Sequence, residues 1–417
     1  MRMLLDRLLR RFIVTGRLRV TWPDGRASLY EGARHAGTFC AALHLTLRDW
    51  RTVRRLVANP ALACGECYME GGFVPTDCSI YDILDLLIAN LVAAGSSQPM
   101  VRVRAALERL SRSLRQFNPA GRARRNVAHH YDLNGRLYSL FLDRDRQYSC
   151  AYFPTGTETL EEAQAAKKRL IAAKLCLDRP GLEVLDIGSG WGGLALTLAR
   201  DFGARVTGIT LSTEQLGEAR ARARAEGLSD RVRFELMDYR AMDRQFDRIV
   251  SVGMFEHVGV PHYDAFFQVV DRCLAPDGVA LLHAIGRQGP PQATNPWITK
   301  YIFPGGYCPA LSEVLPAIER ARLMTTDIEV LRLHYAETLR HWRRRFAASR
   351  DSIAALYDER FCRMFEFYLC GSELAFRREG LMIFQIQLSR ALNTVPLTRD
   401  YIATAEQVCA RESSLVK

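Results

Sequence analysis

The chain has 417 residues, 48% of them hydrophobic, which suits two or three globular domains with a real core. Lys and Arg number 57 against 46 Asp and Glu, a net charge of +11, so the surface favours an anionic partner. No nucleic-acid motif accompanies that charge, no window approaches the ~20 consecutive apolar residues of a bilayer span, and no secretory leader is evident. Nucleic acid is therefore not an expected partner, and a soluble or peripheral, intracellular protein is expected. Eleven cysteines without regular spacing read as thiols of a reducing compartment. Cys64 and Cys67 form one C-x-x-C pair without a second pair or a histidine cluster, and no metal site is expected.

From the start of the chain, Leu4, Leu5, Leu8, Leu9 and Phe12 recur at helical spacing among Arg2, Arg7, Arg10 and Arg11. This predicts a short basic amphipathic helix, suited either to packing on its own domain or to a membrane surface. Strand-like runs around Pro23-Asp24-Gly25 predict a hairpin. Apolar helix-like runs and turns continue to about residue 95, giving an accessory domain without recognisable chemistry. A linker is expected between Leu91 and Ala128, where a Gly-Ser-Ser-Gln-Pro stretch and a basic run occur. The expected division is an accessory domain over 1–115 and a catalytic domain over 116–417.

Beyond the linker, strand-like and helix-like runs alternate, the pattern of a doubly wound α/β sheet. Seven strands are predicted, at Glu183–Ile187, Arg205–Thr210, Val232–Met237, Asp247–Val252, Val279–Ala284, Ile328–Leu333 and Leu381–Leu388. An insertion from Arg287 to about Leu323 and a helical block from about Ala336 to Arg378 fall where substrate-covering elements would sit.

The first strand runs through Asp186 into Gly188, Gly190 and a helix. Its D-x-G-x-G-W-G spacing differs from the dinucleotide pattern, and it resembles motif I of the S-adenosylmethionine (SAM) methyltransferases. That resemblance places Asp186 at the cofactor's ammonium end and the glycines beneath its ribose and carboxylate. After the second strand, Ser212 is a candidate helix cap with Gln215 three residues on. Thr210 stands where most such enzymes carry an acid for the ribose, while Asp238 and Tyr239 offer a carboxylate and an aromatic edge to adenine.

Tyr148-Ser-Cys-Ala-Tyr-Phe153, the glycine loop, the turn through Thr210, Phe255-Glu-His-Val-Gly259, His283-Ala-Ile285, Lys300-Tyr-Ile-Phe-Pro-Gly-Gly306 and Leu333-His-Tyr-Ala-Glu-Thr-Leu339 occur in order. Together they resemble the cyclopropane-fatty-acyl-phospholipid synthase family, which includes the mycolic acid cyclopropane synthases, from about His129 to the C-terminus. The resemblance implies a seven-stranded SAM-dependent methyltransferase sheet, Rossmann-like, with a helical lid insertion and a smaller N-terminal α+β domain. It implies that the π bond of an unsaturated acyl chain attacks the sulfonium methyl and leaves a carbocation. Bound bicarbonate then takes a proton from the delivered methyl as the ring closes.

Carried over, the bicarbonate holders are the Cys150 and Ile285 backbone with Glu256, His283 and Tyr335, Glu256 acting as an orienter or proton relay. Tyr148 and Ser149 would close over the cofactor's methionine portion, and Gly188, Gly190, Thr210, Leu211 and Gln215 would hold the rest. Cys370 is expected as a buried helix thiol, not a nucleophile. Ser189, where a cysteine is common, and the order of the His130–Gly135 run depart from the family pattern. The implied partners are an unsaturated phospholipid and the anionic membrane surface on the cytoplasmic side, with a homodimer formed through the accessory domain. Trp297, Tyr301, Ile302 and Phe303 beside Lys300 suit that surface, or an ordinary lid packed on the core. The alternative within the same fold is a methyl-branched or methylene fatty acid.

Overall fold

A computed structural model describes residues 1–33, 41–94 and 135–406. The expected linker and the His130–Gly135 run fall largely outside them. The described residues pack as two units.

In the first unit, α1 (Arg2–Phe12) leads into the predicted hairpin of β1 (Arg17–Thr21) and β2 (Ala27–Glu31), closed by the left-handed Gly25. The four-stranded sheet is completed by β3 (Leu43–Leu47) and β4 (Phe73–Thr76), in the order β2-β1-β3-β4, with β1 and β3 parallel. Helices α2 (Trp50–Ala58), α3 (Pro60–Met69) and α4 (Ile80–Ala94) belong to the same unit. Asp49 caps α2 through the Thr52 amide, and Pro60 starts α3 where no amide hydrogen is needed.

This unit also contains residues 292–304 and 339–381, which the sequence division placed with the catalytic domain. The reason is packing. Cys370 and Leu374 are buried in one core with Leu18, Val20, Trp22, Ile80 and Ile83. Cys370 is thus a core thiol, as expected, and burial pushes its pKa up.

The second unit holds the seven predicted strands in one sheet. In chain order its elements are α5 (Gly135–Phe141), α6 (Leu160–Lys174), β5 (Glu183–Ile187), α7 (Gly193–Phe202), β6 (Arg205–Thr210), α8 (Thr213–Ala225), β7 (Val232–Leu236) and β8 (Phe246–Val252). They continue with α9 (Tyr263–Cys273), β9 (Leu274–Arg287), α11 (Leu311–Arg320), β10 (Met324–Leu331) and β11 (Leu381–Ser389), while α10 (Pro296–Tyr301) lies in the first unit. Three more helices follow β10 in the chain: α12 (His334–Ala348), α13 (Arg350–Leu356) and α14 (Glu359–Arg378). The sheet order β10-β11-β9-β8-β5-β6-β7 runs in opposite directions on either side of β5, so a crevice opens at the carboxyl ends of β5 and β8.

The insertion residues are not laid out for a lipid surface. Trp297 on α10 is 1% exposed, its ring centroid 4.7 Å from that of Phe367, and Ile302 is also buried. Lys300 and Tyr301 both bond Glu66 of α3, at 2.7 and 2.9 Å. Of the two readings of this segment, the packed lid is the one realised. Among the described residues, no helix is long and apolar enough to cross a membrane.

Candidate active site

Val184, Leu185 and Ile187 bury the first central strand on both faces, which carries Asp186 into the interior at its carboxyl end. Burial raises the Asp186 pKa to about 7, opposed by the Lys167 charge, and Oδ2 has no hydrogen-bond partner among the described residues. The chain then turns through Gly188 at φ +88° and Gly190 at φ +54°. A Cβ at Gly188 would lie 2.9 Å from that of Met254, whereas Gly190 faces open space. Both positions need glycine for their backbone, and the open one leaves room for a ligand against the first turn of α7.

All ten expected cofactor residues line this one pocket: Tyr148, Ser149, Asp186, Gly188, Gly190, Thr210, Leu211, Gln215, Asp238 and Tyr239. Two of them are arranged differently from the expectation. Ser212 does cap α8 through the Gln215 amide, but the Gln215 side chain turns to accept the Thr210 hydroxyl at 3.0 Å instead of closing a capping box. Thr210 and Gln215 together thus occupy the end of β6 where an acid is usual. Asp238 is gripped by Arg240, whose Nε and Nη2 lie 2.8 and 2.7 Å from its two oxygens. Its carboxylate is held in place and partly neutralised rather than open to adenine alone.

Sequence reasoning missed Gln147, Trp191, Arg240, Met254 and His257, which also line the pocket. Burial lowers the His257 pKa to about 4, so its ring is neutral.

The five expected catalytic residues do not line that pocket; they lie in the same unit, four of them buried and Ile285 half-buried. Two are joined directly, and His283 lies two residues before Ile285 on β9. Glu256 Oε1 accepts the Ile285 amide hydrogen at 2.6 Å, and the His283 carbonyl accepts from Gly253. Of the Ile285 backbone, expected as a bicarbonate holder, the amide hydrogen goes to Glu256 in this structure. Glu256 Oε2 and His283 Nε2 are buried without partners among the described residues. Burial raises Glu256 to about 7 and lowers His283 to about 3, the latter helped by the charges of Lys167 and Lys174. His283 is neutral, and its Nδ1 lies 3.0 Å from Gln385 Nε2; with that amide donating, the ring proton sits on Nε2.

Of the other two, Cys150 belongs to a strap, residues 147–153, fastened to the start of α12, and Tyr335 belongs to α12 itself. Ala151 donates to Thr338 Oγ1 and Phe153 to His334 Nδ1, both at 3.0 Å, and Tyr335 lies between those anchors in the chain. Cys150 is fully enclosed, and burial pushes its thiol pKa up, so it is no nucleophile. Gln164 of α6 holds the strap from another side through the Ser149 and Gln147 carbonyls, at 3.0 and 3.3 Å.

A glycine turn at a strand-order reversal, an orphaned carboxylate oxygen and a pocket of mixed apolar and polar lining fit a nucleoside cofactor with a cationic end. The fold and pocket are those of a SAM-dependent methyltransferase. The family model described as mycolic acid cyclopropane synthetase matches residues 119–386. The chain is 41% identical over 341 residues to a cyclopropane-fatty-acyl-phospholipid synthase of Escherichia coli K12, covering 81% of this chain and 86% of that one. It is 37% identical over 405 residues to a tuberculostearic acid methyltransferase of Mycobacterium tuberculosis, covering 92% and 90%. A solved mycolic acid cyclopropane synthase, complexed with SAH and CTAB, superposes with a TM-score of 0.61 at 34% identity, over 66% of this chain and 99% of that one. The chain belongs to the mycolic acid cyclopropane synthetase family and is a SAM-dependent enzyme.

Proposed function

We propose that the protein builds a cyclopropane ring on the cis double bond of an unsaturated acyl chain in a phospholipid. The observation that carries this reading is the pair of buried side chains Glu256, tied to the Ile285 amide, and His283, which offer one unpartnered carboxylate oxygen and one unpartnered imidazole nitrogen among the described residues. When bound, SAM supplies an electrophilic methyl and bicarbonate supplies a proton acceptor that the chain's own buried carboxyls replace poorly, since alkylation would consume them. The β5 turn holds the cofactor end of the site, with Asp186 facing its ammonium. His283, neutral with its proton on Nε2, donates to an oxyanion. Glu256, near half-ionised around neutral pH, orients that oxyanion or relays its proton. Tyr335 and the Cys150 backbone complete the holders, and the Ile285 backbone contributes by fixing Glu256.

The substrate reading is supported by the Escherichia coli relative, whose name specifies a fatty-acyl phospholipid. Access to such a lipid calls for contact with a membrane, and α1 suits an anionic surface. Met3, Leu4 and Leu8 are 82%, 47% and 46% exposed beside exposed Arg7 and Arg11. We place the protein in the cytoplasm, peripheral on the inner membrane face, as a homodimer. Flotation with anionic liposomes and sedimentation test these two points.

A second reading is favoured by the Mycobacterium tuberculosis relative, named a methyltransferase of tuberculostearic acid. In that case proton loss from a chain carbon leaves a methyl-branched olefin, or a hydride shift moves the cation to the methylated carbon and proton loss from the methyl leaves a methylene chain. Analysis of the lipid product separates the two, because only the ring adds CH2 without leaving an olefin.

A further inference from the structure

Lys167 is fully buried on the inner stripe of α6, and neither the site residues above nor the family motifs use it. Its ammonium donates to Gln147 Oε1 at 2.6 Å and to Ser149 Oγ at 2.9 Å, two side chains that line the cofactor pocket. Both acceptors are neutral. An ammonium has three hydrogens, and among the described residues the third meets no acceptor and no carboxylate stands within ion-pair distance.

The nearby carboxylates are committed elsewhere. Asp143 accepts from the Gln147 and Asp145 amides at 2.9 and 3.0 Å, and Asp145 is paired with Lys168 and Arg222. Asp143 and Asp145 favour the charged lysine, while burial and Lys168 oppose it. The balance leaves a pKa of about 8, so the group is still mainly charged at neutral pH. A buried cation with neutral partners is a costly arrangement unless an anion joins it. Its field acts on Cys150, His283 and Asp186, residues of the catalytic group and of the cofactor pocket.

We propose that Lys167 is a positioning residue that clamps the Gln147–Cys150 strap and offers its remaining N–H and positive charge to a small carboxylate-like oxyanion seated beside Cys150. This rests on the bicarbonate reading above for one of two sources, the other being the cofactor's own carboxylate. Such an anion would separate the ammonium from a developing carbocation, so that charges alternate through the site.

The test uses the full chain and two titrations of Lys167→Met: SAH by calorimetry without bicarbonate, and bicarbonate by its effect on the thermal midpoint at saturating SAH. The expected result is that the variant needs about tenfold more bicarbonate for the same rise in midpoint, with SAH affinity kept. A comparable loss of SAH affinity with the bicarbonate response intact supports the clamp and assigns the anion to the cofactor's carboxylate. Wild-type values in both titrations overturn the proposal. Absence of any bicarbonate response in the wild-type protein defeats the bicarbonate reading, and the SAH titration then decides on Lys167 alone. Should the Met variant fail to fold, Lys167→Gln, polar but uncharged, is read in the same way.

Discussion

Glu256 Oε1 accepts the Ile285 amide hydrogen at 2.6 Å, which fixes the carboxyl and leaves its second oxygen buried and unpartnered. A strand amide thereby determines which way a titrating group points. Glu256→Gln keeps the shape and the acceptor oxygen but cannot ionise. Its turnover should fall about a hundredfold, with SAH affinity by calorimetry nearly unchanged. Tyr335→Phe should show the same split, and wild-type turnover in both variants removes their assigned roles.

Asp186 gives a pH dependence with a definite sign. Its folded pKa of about 7 lies above the unfolded value, so its contribution to stability is full below the ordinary carboxylate range and is lost as pH rises through about 7. A cationic ligand end favours the ionised form. SAH affinity should therefore rise between pH 6 and 8, by at most about tenfold per unit. Asp186→Asn should bind weakly with a flatter profile, and an unchanged profile contradicts the contact.

Much of the second unit was legible because central strands such as β5 and β8 are largely apolar runs that end at a glycine, Gly188 and Gly253, and all seven predicted strands occur in one sheet. Two differ most in their bounds: β9, predicted over 279–284, extends over Leu274–Arg287, and β10, predicted over 328–333, is found over Met324–Leu331. The strand β10 is a half-buried edge strand, so its Met-Thr-Thr-Asp start carries little apolar signal. The ten cofactor positions were legible through motif resemblance, but the grip of Arg240 on Asp238 was not, since a pair two residues apart has no spacing signature. Lys167 and Gln385 had a signal: each is a polar residue within an apolar stripe, Lys167 at helical spacing with Ala163, Leu170 and Ile171, and Gln385 between Phe384 and Ile386. The assignment of 339–381 to the first unit was not legible, because it depends on packing between distant segments such as Leu374 and Ile83.

Trp297 tests the packed-lid arrangement of α10. Its ring meets Phe367 and sits over Gly65, where a Cβ would lie only 2.3 Å from Nε1. Trp297→Ala should destabilise the protein by about 3–5 kcal/mol, read from denaturant unfolding. A loss of liposome binding with stability intact would return this residue to a membrane role.

The α1 surface makes a separate prediction. Leu4→Asp with Leu8→Asp removes exposed apolar area and adds negative charge to a basic helix without touching the buried Leu5. Flotation with anionic liposomes should fall sharply, and binding of the wild-type protein should weaken with salt, each nearby Arg contributing about 1 kcal/mol. Equal flotation of variant and wild type would move the membrane contact away from α1, and no salt-sensitive association of the wild type would remove it.

The most direct measurement is of product. The protein is expressed in a host lacking enzymes of this family, and its phospholipid acyl chains are analysed by mass spectrometry and proton NMR. The account predicts chains heavier by one CH2, with the olefinic protons lost and the high-field methylene signal of a cis cyclopropane in their place. Chains of the same added mass that retain an olefin, whether beside a methyl branch or as a methylene group, would contradict it.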